Sequence, residues 1–270
     1  MILGMELRTL ALDALILADP GAKVTAIRSI QADLLDSQVA IDTALSLADP
    51  GSLPGRPVLP RLVPVQQVPR RSPSTLAGRA ALLHAICHIE FNAINLALDA
   101  IWRFAGMPAA YYRDWLRVAG EESKHFSLLR EHLRSLGFEY GDFDAHDGLW
   151  TMTARTAGDI IARMALVPRT LEARGLDATP PIQAKLRRAG DDRAVAILDI
   201  VLRDEIGHVA IGNHWYRWLC DRHQLVAEAH YAVLAKRHAA PRLRAPFNLQ
   251  ARRMAGFSEA EIAALADAPG

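Results

Sequence analysis

Two stretches of this chain place a histidine three positions after a glutamate that itself follows an acid: Glu121-Glu122-Ser123-Lys124-His125 and Asp204-Glu205-Ile206-Gly207-His208. On a helix that spacing sets Glu and His on one face, one turn apart. A carboxylate beside an imidazole is a ligand pair for a divalent metal ion. Two more glutamates stand upstream at matching distances. Thirty-two residues separate Glu90 from Glu122, and thirty-three separate Glu172 from Glu205. If each pair belongs to an antiparallel hairpin, the near-equal arms bring four carboxylates and two imidazoles to one level of a four-helix bundle. That is the ligand set of a carboxylate-bridged pair of metal ions.

The flanking residues agree with this placement when each helix is read from its glutamate in steps of three, four and seven. Leu83, Ile86, Ala93, Ala97 and Ile101 surround Glu90; Tyr111, Trp115, Val118 and Leu129 surround Glu122; Leu198, Val201, Gly212 and Leu219 surround Glu205. A lone carboxylate on such an apolar seam costs several kcal/mol unless it is paired or bound to metal. The donor set is hard and oxygen-rich, which suits two iron ions, two manganese ions or a mixed manganese–iron pair better than a closed structural zinc. Six protein ligands shared by two ions leave positions open for dioxygen or solvent.

Metal-bound histidine usually donates its other ring nitrogen to a carboxylate. Asp204 lies four residues before His208, and Glu121 four before His125, so these two acids are candidates to orient the histidines or, equally, are solvated surface acids. His84 and His88 precede Glu90, but His88 falls about 160° around the helix from it at ~100° per residue, and both are read as capped or interhelical histidines outside the site. Tyr111, Trp115 and Tyr216 face inward and are read as core packing more than pocket lining.

The elements that must position these residues follow from hydrophobic periodicity. Helices are expected at about 75–105, 111–136, 148–175 and 191–221. Gly106-Met107-Pro108 is a short link between antiparallel neighbours, whereas LGFEYGDFDAHDGL, from Leu136 to Leu149, is long enough to cross the end of a bundle. Residues 1–48 form an N-terminal helical segment with two helices broken at Asp19-Pro20-Gly21. Residues 49–73 hold seven prolines and form an extended arm. The arm is either a linker or a strap, and Val58, Leu59, Leu62, Val63 and Val65 offer it apolar side chains. The bundle with a fifth helix near 224–238 spans residues 74–240, and residues 241–270 form a basic, irregular tail read as surface.

Composition limits the alternatives. The 270 residues are 51% hydrophobic and only 6% aromatic, and the abundance of Ala and Leu favours helix. A formal charge of +1 gives no whole-molecule field that would recruit nucleic acid or an anionic membrane. Cys87 and Cys220 are the only cysteines, which argues against a disulfide scaffold or a Cys-rich zinc site. Glu6 and Asp13 stand where a signal peptide would carry a basic start and an apolar run, so a cytoplasmic protein without a membrane span is expected.

The blocks RAALLHAICHIEFNAINLALD, YYRDWLRVAGEESKHF, YGDFDAHDGLW, VPRTLEARGLD, RDEIGHVAIGNHWY and PFNLQARRMAGF resemble the ferritin-like family known as domain of unknown function 455. The resemblance covers most of the chain from Pro54 onward. It implies a ferritin-like, all-α fold and a di-metal centre whose ligands fall on Glu90, Glu122, His125, Glu172, Glu205 and His208, the six that spacing selects. It supplies no substrate. The function expected is an oxidoreductase that activates dioxygen at a reduced di-metal centre to oxidise or hydroxylate a small organic molecule. The alternative is an iron-handling ferroxidase or store. With no dinucleotide fingerprint, phosphate loop or Cys-rich electron-transfer module in the chain, reductant would come from an external partner.

Overall fold

Several helix starts in this chain are set by a capping side chain, as at Asp19, Thr75, Asp159 and Asp191. The computed structural model describes residues 5–266 and is all-α. Among the described residues, strand pairing is confined to a two-residue parallel match of Met5–Glu6 with Val39–Ala40 and an isolated bridge between Leu62 and Ala145. Contacts divide the chain into two units, one running to Asp147 and the other beginning at Gly148.

In the N-terminal unit, α1 (Leu7–Ile16) and α2 (Pro20–Leu35) are separated where the sequence predicts. The Asp19 carboxylate accepts from the Ala22 amide at 2.7 Å, and Pro20 opens α2, where a missing N–H costs nothing. The helical reading to residue 48 does not hold. Past Leu35 the chain turns through Ser37 at φ 59° and runs extended. Buried Arg8 anchors this stretch: its guanidinium donates to the Leu45 carbonyl and to the Trp102 and Ile101 carbonyls at 2.7 and 3.2 Å. Those last two are C-terminal carbonyls of the next helix, which have no intrahelical donor.

That helix, α3 (Leu76–Arg103), starts at Thr75, whose hydroxyl accepts from the Gly78 amide at 3.1 Å. It is buried on nearly every side from Leu83 onward. It is long and apolar enough to cross a bilayer, yet 78% of its apolar window is buried within the protein, the placement of a core helix. α4 (Ala109–Ser135) returns antiparallel after a link in which Gly106 takes φ +80°. Tyr112 fixes the link by donating to the Phe104 carbonyl at 2.8 Å and accepting from the Met107 amide at 3.2 Å. Burial of each large apolar side chain between α3 and α4, such as Leu83, Phe91, Ile101 or Leu129, contributes roughly 1.5–3 kcal/mol.

The proline-rich arm is a strap. Its apolar side chains do not carry it: Val58 is 96% exposed, and Leu59, Leu62 and Val65 also face solvent. Backbone and charge do. The Gly55 amide donates to the Leu15 carbonyl at 2.9 Å, the Val63 amide to the Ala145 carbonyl at 2.8 Å and the Ala145 amide to the Arg61 carbonyl at 3.0 Å. Arg56 pairs with Asp147 at 2.8 Å and Arg61 with Asp144 at 2.6 Å. Beneath the strap, buried Lys23 donates to the Leu15 and Gly55 carbonyls and to Asn95 Oδ1.

In the C-terminal unit the helix expected at 148–175 is interrupted and then extended. α5 (Gly148–Arg155) and α6 (Ile160–Leu166) are separated by a turn at Thr156–Asp159, where Asp159 caps α6 through the Ala162 amide at 2.9 Å. Buried Arg163 braces the turn from Nε to Thr156 Oγ1 at 2.8 Å and from Nη2 to the Thr153 carbonyl at 2.6 Å. Pro168 then breaks the i→i−4 ladder, and residues Val167–Glu172 widen into a π-helical turn. The Thr170 hydroxyl donates to the Ala165 carbonyl at 2.7 Å inside that turn. α7 (Ala173–Arg188) continues through Pro180 and Pro181, and α8 (Asp192–Arg222) starts at Asp191, which accepts from the Ala194 amide at 3.0 Å. α9 is Ala227–Arg237.

The tail read as irregular surface instead forms α10 (Leu249–Met254) and α11 (Glu259–Ala266). Ala251 and Ala255 join Ala173, Leu176 and Val209 in a buried cluster, with Phe257 against it. Arg252 is fully buried, with its Nη2 2.5 Å from Asp177 Oδ2 and its head between the Phe247 and Phe257 rings. One of the basic residues that read as solvated, Arg252, is what docks it.

Candidate metal centre

The α3–α4 hairpin sets the first ligand group. Glu90 and Glu122 each lie sixteen residues from Gly106, the turn of the hairpin, so antiparallel return brings them to one level. His125 follows Glu122 by one turn on the same buried face. The three residues are 3%, 0% and 0% exposed, and each offers a ligand atom such that all three lie within 4.8 Å of one another. Nδ1 of His125 stands 3.3 Å from Oε2 of Glu90 and 3.3 Å from Oε2 of Glu122. Nδ1 is hydrogen-bonded to Glu122 Oε2, and Glu90 Oε2 has no hydrogen-bond partner among the described residues.

Electrostatics show the strain of that convergence. Burial pushes the Glu90 carboxyl up to about 7, and the neighbouring Glu122 charge adds to the rise. Burial works against the His125 imidazolium, but the Glu122 and Glu90 carboxylates outweigh it and hold the ring proton well above the usual histidine range. Protons thus compensate two carboxylates that would otherwise repel in a dry place. A divalent cation can take over that compensation, and a buried carboxylate oxygen without a donor is a ligand atom already desolvated. The donor set fits iron or manganese.

In the C-terminal unit, α8 carries Glu205 and His208 on one buried face, with His208 Nδ1 3.8 Å from Glu205 Oε2. Glu172 is buried at the last residue of the π turn. Among the described residues it joins no group of three ligand side chains whose atoms lie within 4.8 Å of one another. The Asp204 carboxylate is engaged by its neighbour Arg203, from Nε at 3.0 Å and Nη2 at 2.9 Å, and Glu121 is half-buried.

The structure adds a cluster that periodicity alone did not assign. Crossover residue Tyr140 packs against Phe91 and Phe126, the chain neighbours of Glu90 and His125, with ring centroids 5.7 and 5.1 Å away. Its hydroxyl is 2.9 Å from His88 Nδ1, and Asn92 Nδ2 is 2.9 Å from His88 Nε2. His84 Nε2 accepts from the Gly141 amide at 2.9 Å. Burial lowers the imidazolium of His84 to about 4 and that of His88 to about 3, so both rings are neutral at physiological pH. The signal for this cluster was the polar stripe His84, His88, Asn92 at helical spacing, which docks the crossover segment rather than completing the ligand set. Tyr111 donates to the Ala100 carbonyl at 3.2 Å and Tyr216 to the Ala227 carbonyl at 2.7 Å, as packed core residues do. The Trp115 indole N–H, 2% exposed, has no hydrogen-bond partner among the described residues.

Residues 16–263 match the family described as Protein of unknown function (DUF455). The chain belongs to that family. It is similar to an uncharacterized protein of Haemophilus influenzae (strain ATCC 51907 / DSM 11121 / KW20 / Rd), with 54% identity over 213 residues, which are 76% of this chain and 74% of the relative. No solved structure matches the chain. Within this DUF455 protein, the buried trio Glu90, Glu122 and His125 is a group that could hold a metal ion.

Proposed function

We propose that the chain is a di-metal carboxylate oxidoreductase, in which Glu90, Glu122, His125, Glu172, Glu205 and His208 hold two iron ions, or manganese in their place. It uses dioxygen and an external reductant to oxidise or hydroxylate a small organic substrate. The observation that carries the reading is the trio Glu90, Glu122 and His125, fully buried with its ligand atoms within 4.8 Å of one another. The second trio enters from the sequence, through the repeated Glu-x-x-His pattern and the matched spacing of thirty-two and thirty-three residues.

When bound, paired iron ions supply electron transfer to dioxygen. The chain's own contribution is to bring carboxylates and imidazoles into a dry place and to exchange protons there. His125 must give up its ring proton to ligate, so loading releases protons. The trio is closed off from water by its own burial, and the rings of Phe91, Phe126 and Tyr140 pack on one another next in the chain to Glu90 and His125. The ferroxidase reading shares every ligand, and turnover separates the two. An oxygenase keeps its metals; a ferroxidase releases ferric product and continues on ferrous iron alone. With excess ferrous iron under air, oxidation that stops at about two irons per chain, the capacity of one such centre, supports the oxygenase. Sustained oxidation into a soluble ferric mineral would replace it with the iron-handling function.

A further inference from the structure

We propose that Arg169 is a positioning residue for Glu172, and that the C-terminal segment completes the clamp through Phe257 and Glu261. The inference rests on the metal reading above. Arg169 and Glu172 share the π turn Val167–Glu172. A π turn carries i→i+5 bonds in place of i→i+4 and is rarely stable without outside support. Relaxation to a regular helix would change the register by one residue, which rotates side chains on either side by ~100° relative to each other. The direction in which Glu172 points therefore depends on whatever holds the turn.

The structure shows what holds it. The Arg169 guanidinium, 4% exposed, donates from Nη1 to Asn213 Oδ1 on α8 at 2.6 Å and from Nη2 to Glu261 on α11. Three rings surround it: Tyr216 of α8 at 5.2 Å, Tyr231 of α9 at 5.1 Å and Phe257 at 4.9 Å. Each partner is itself held. Asn213 Nδ2 donates to the Ala255 carbonyl at 2.8 Å, and the second Glu261 oxygen accepts from the Ser258 amide at 2.8 Å and from Arg217 Nη2 at 3.2 Å. The next residue of the turn, Thr170, meets the Tyr231 hydroxyl at 3.0 Å. A buried arginine that donates to side chains of two other helices and is enclosed by three rings is a lock on that turn. Two of its partners come from the last fifteen residues of the chain.

The test uses the full chain with Arg169→Gln, Glu261→Gln, Arg169→Lys and Glu172→Ala, alone and with Arg169→Gln and Glu172→Ala combined. Cobalt(II) titration followed by its visible spectrum reports both ions, and amide hydrogen exchange reports the turn without metal. Expected results are retained helicity in Glu261→Gln, faster exchange at residues 167–173, and one of two cobalt sites weakened roughly 10–100-fold. Arg169→Lys should recover part of the loss. The combined variant should bind no more weakly than Glu172→Ala, because both changes remove the same ligand. Unchanged exchange at the turn, or wild-type cobalt affinity in Arg169→Gln and Glu261→Gln, overturns the clamp while leaving the metal reading intact. A wild-type protein that binds no cobalt overturns the metal reading and the role of Glu172 with it.

Discussion

Asp177→Asn removes the charge opposite a fully buried arginine and tests whether the C-terminal segment is part of the folded core. Arg252 has no side-chain exposure, Asp177 has 10%, and the two meet at 2.5 and 3.0 Å. Asp177 also accepts from the Asn248 amide at 2.9 Å, so one carboxylate seats both the start of α10 and its buried cation. Asparagine keeps the shape and leaves the guanidinium without its counter-charge. Breaking a buried pair in this way costs about 3–5 kcal/mol, which for a unit of this size lowers Tm by roughly 6–20 °C. Removing both charges, as Asp177→Asn with Arg252→Met, should recover much of the loss, because the methionine stem fits between Phe247 and Phe257 without a charge to solvate. Arg61→Ala supplies the contrast: its partner is Asp144, but Arg61 is 71% exposed, and little change is expected. Calorimetric unfolding of the four proteins reads the result. If Asp177→Asn unfolds within ~0.5 kcal/mol of wild type, as a surface change does, Arg252 is in water and the docked tail is wrong.

Gly212→Ala would place a Cβ 2.5 Å from Pro168 Cβ, and the rigid ring cannot rotate away, so a thermal shift should show a loss of about 1–3 kcal/mol; no loss would mean that α8 and the π turn do not touch at this point. Burial, with help from Arg56, lowers the Lys23 ammonium to about 7. Between that value and the ordinary lysine value of ~10.4 the unfolded chain holds a proton that the folded chain has shed, so stability rises with pH across this window and is insensitive to Lys23 below it. Denaturant unfolding from pH 6 to 10 should show that slope in wild type and a flatter one in Lys23→Met; equal slopes would place the charge of Lys23 elsewhere.

Much of the fold can be read directly from residue patterns, and the exceptions have physical causes. Leu76–Arg103 and Ala109–Ser135 form where apolar residues recur at helical spacing, and Asp19-Pro20 both ends one helix and starts another. Periodicity cannot show that a proline is absorbed. Pro168 widens the backbone into a π turn, and Pro180 and Pro181 lie inside α7, so a helix expected to stop near 175 runs to Arg188. The strap and the tail misled in opposite ways. Val58, Leu59 and Val65 look like packing residues and face solvent, while Arg252 and Arg169 look like surface residues and are buried, because their carboxylate and ring partners lie far away in sequence. The convergence of Glu90, Glu122 and His125 was legible because chemistry restricts it: a glutamate on an apolar seam needs a partner, and Glu-x-x-His supplies one locally. The cluster of His88 with Tyr140 depends on how the crossover folds back, which local pattern does not encode.

Metal content per chain tests the central claim most directly. The protein should be purified without chelators, reconstituted anaerobically with ferrous iron, freed of loose metal and assayed by elemental analysis beside Glu122→Ala with Glu205→Ala. About two ions per wild-type chain are expected, the number that four carboxylates and two imidazoles hold in a bundle of this type, with the double variant near empty and both proteins folded. A wild-type chain that retains no metal, or a double variant that retains all of it, would contradict the assignment of Glu90, Glu122, His125, Glu172, Glu205 and His208 as one metal centre.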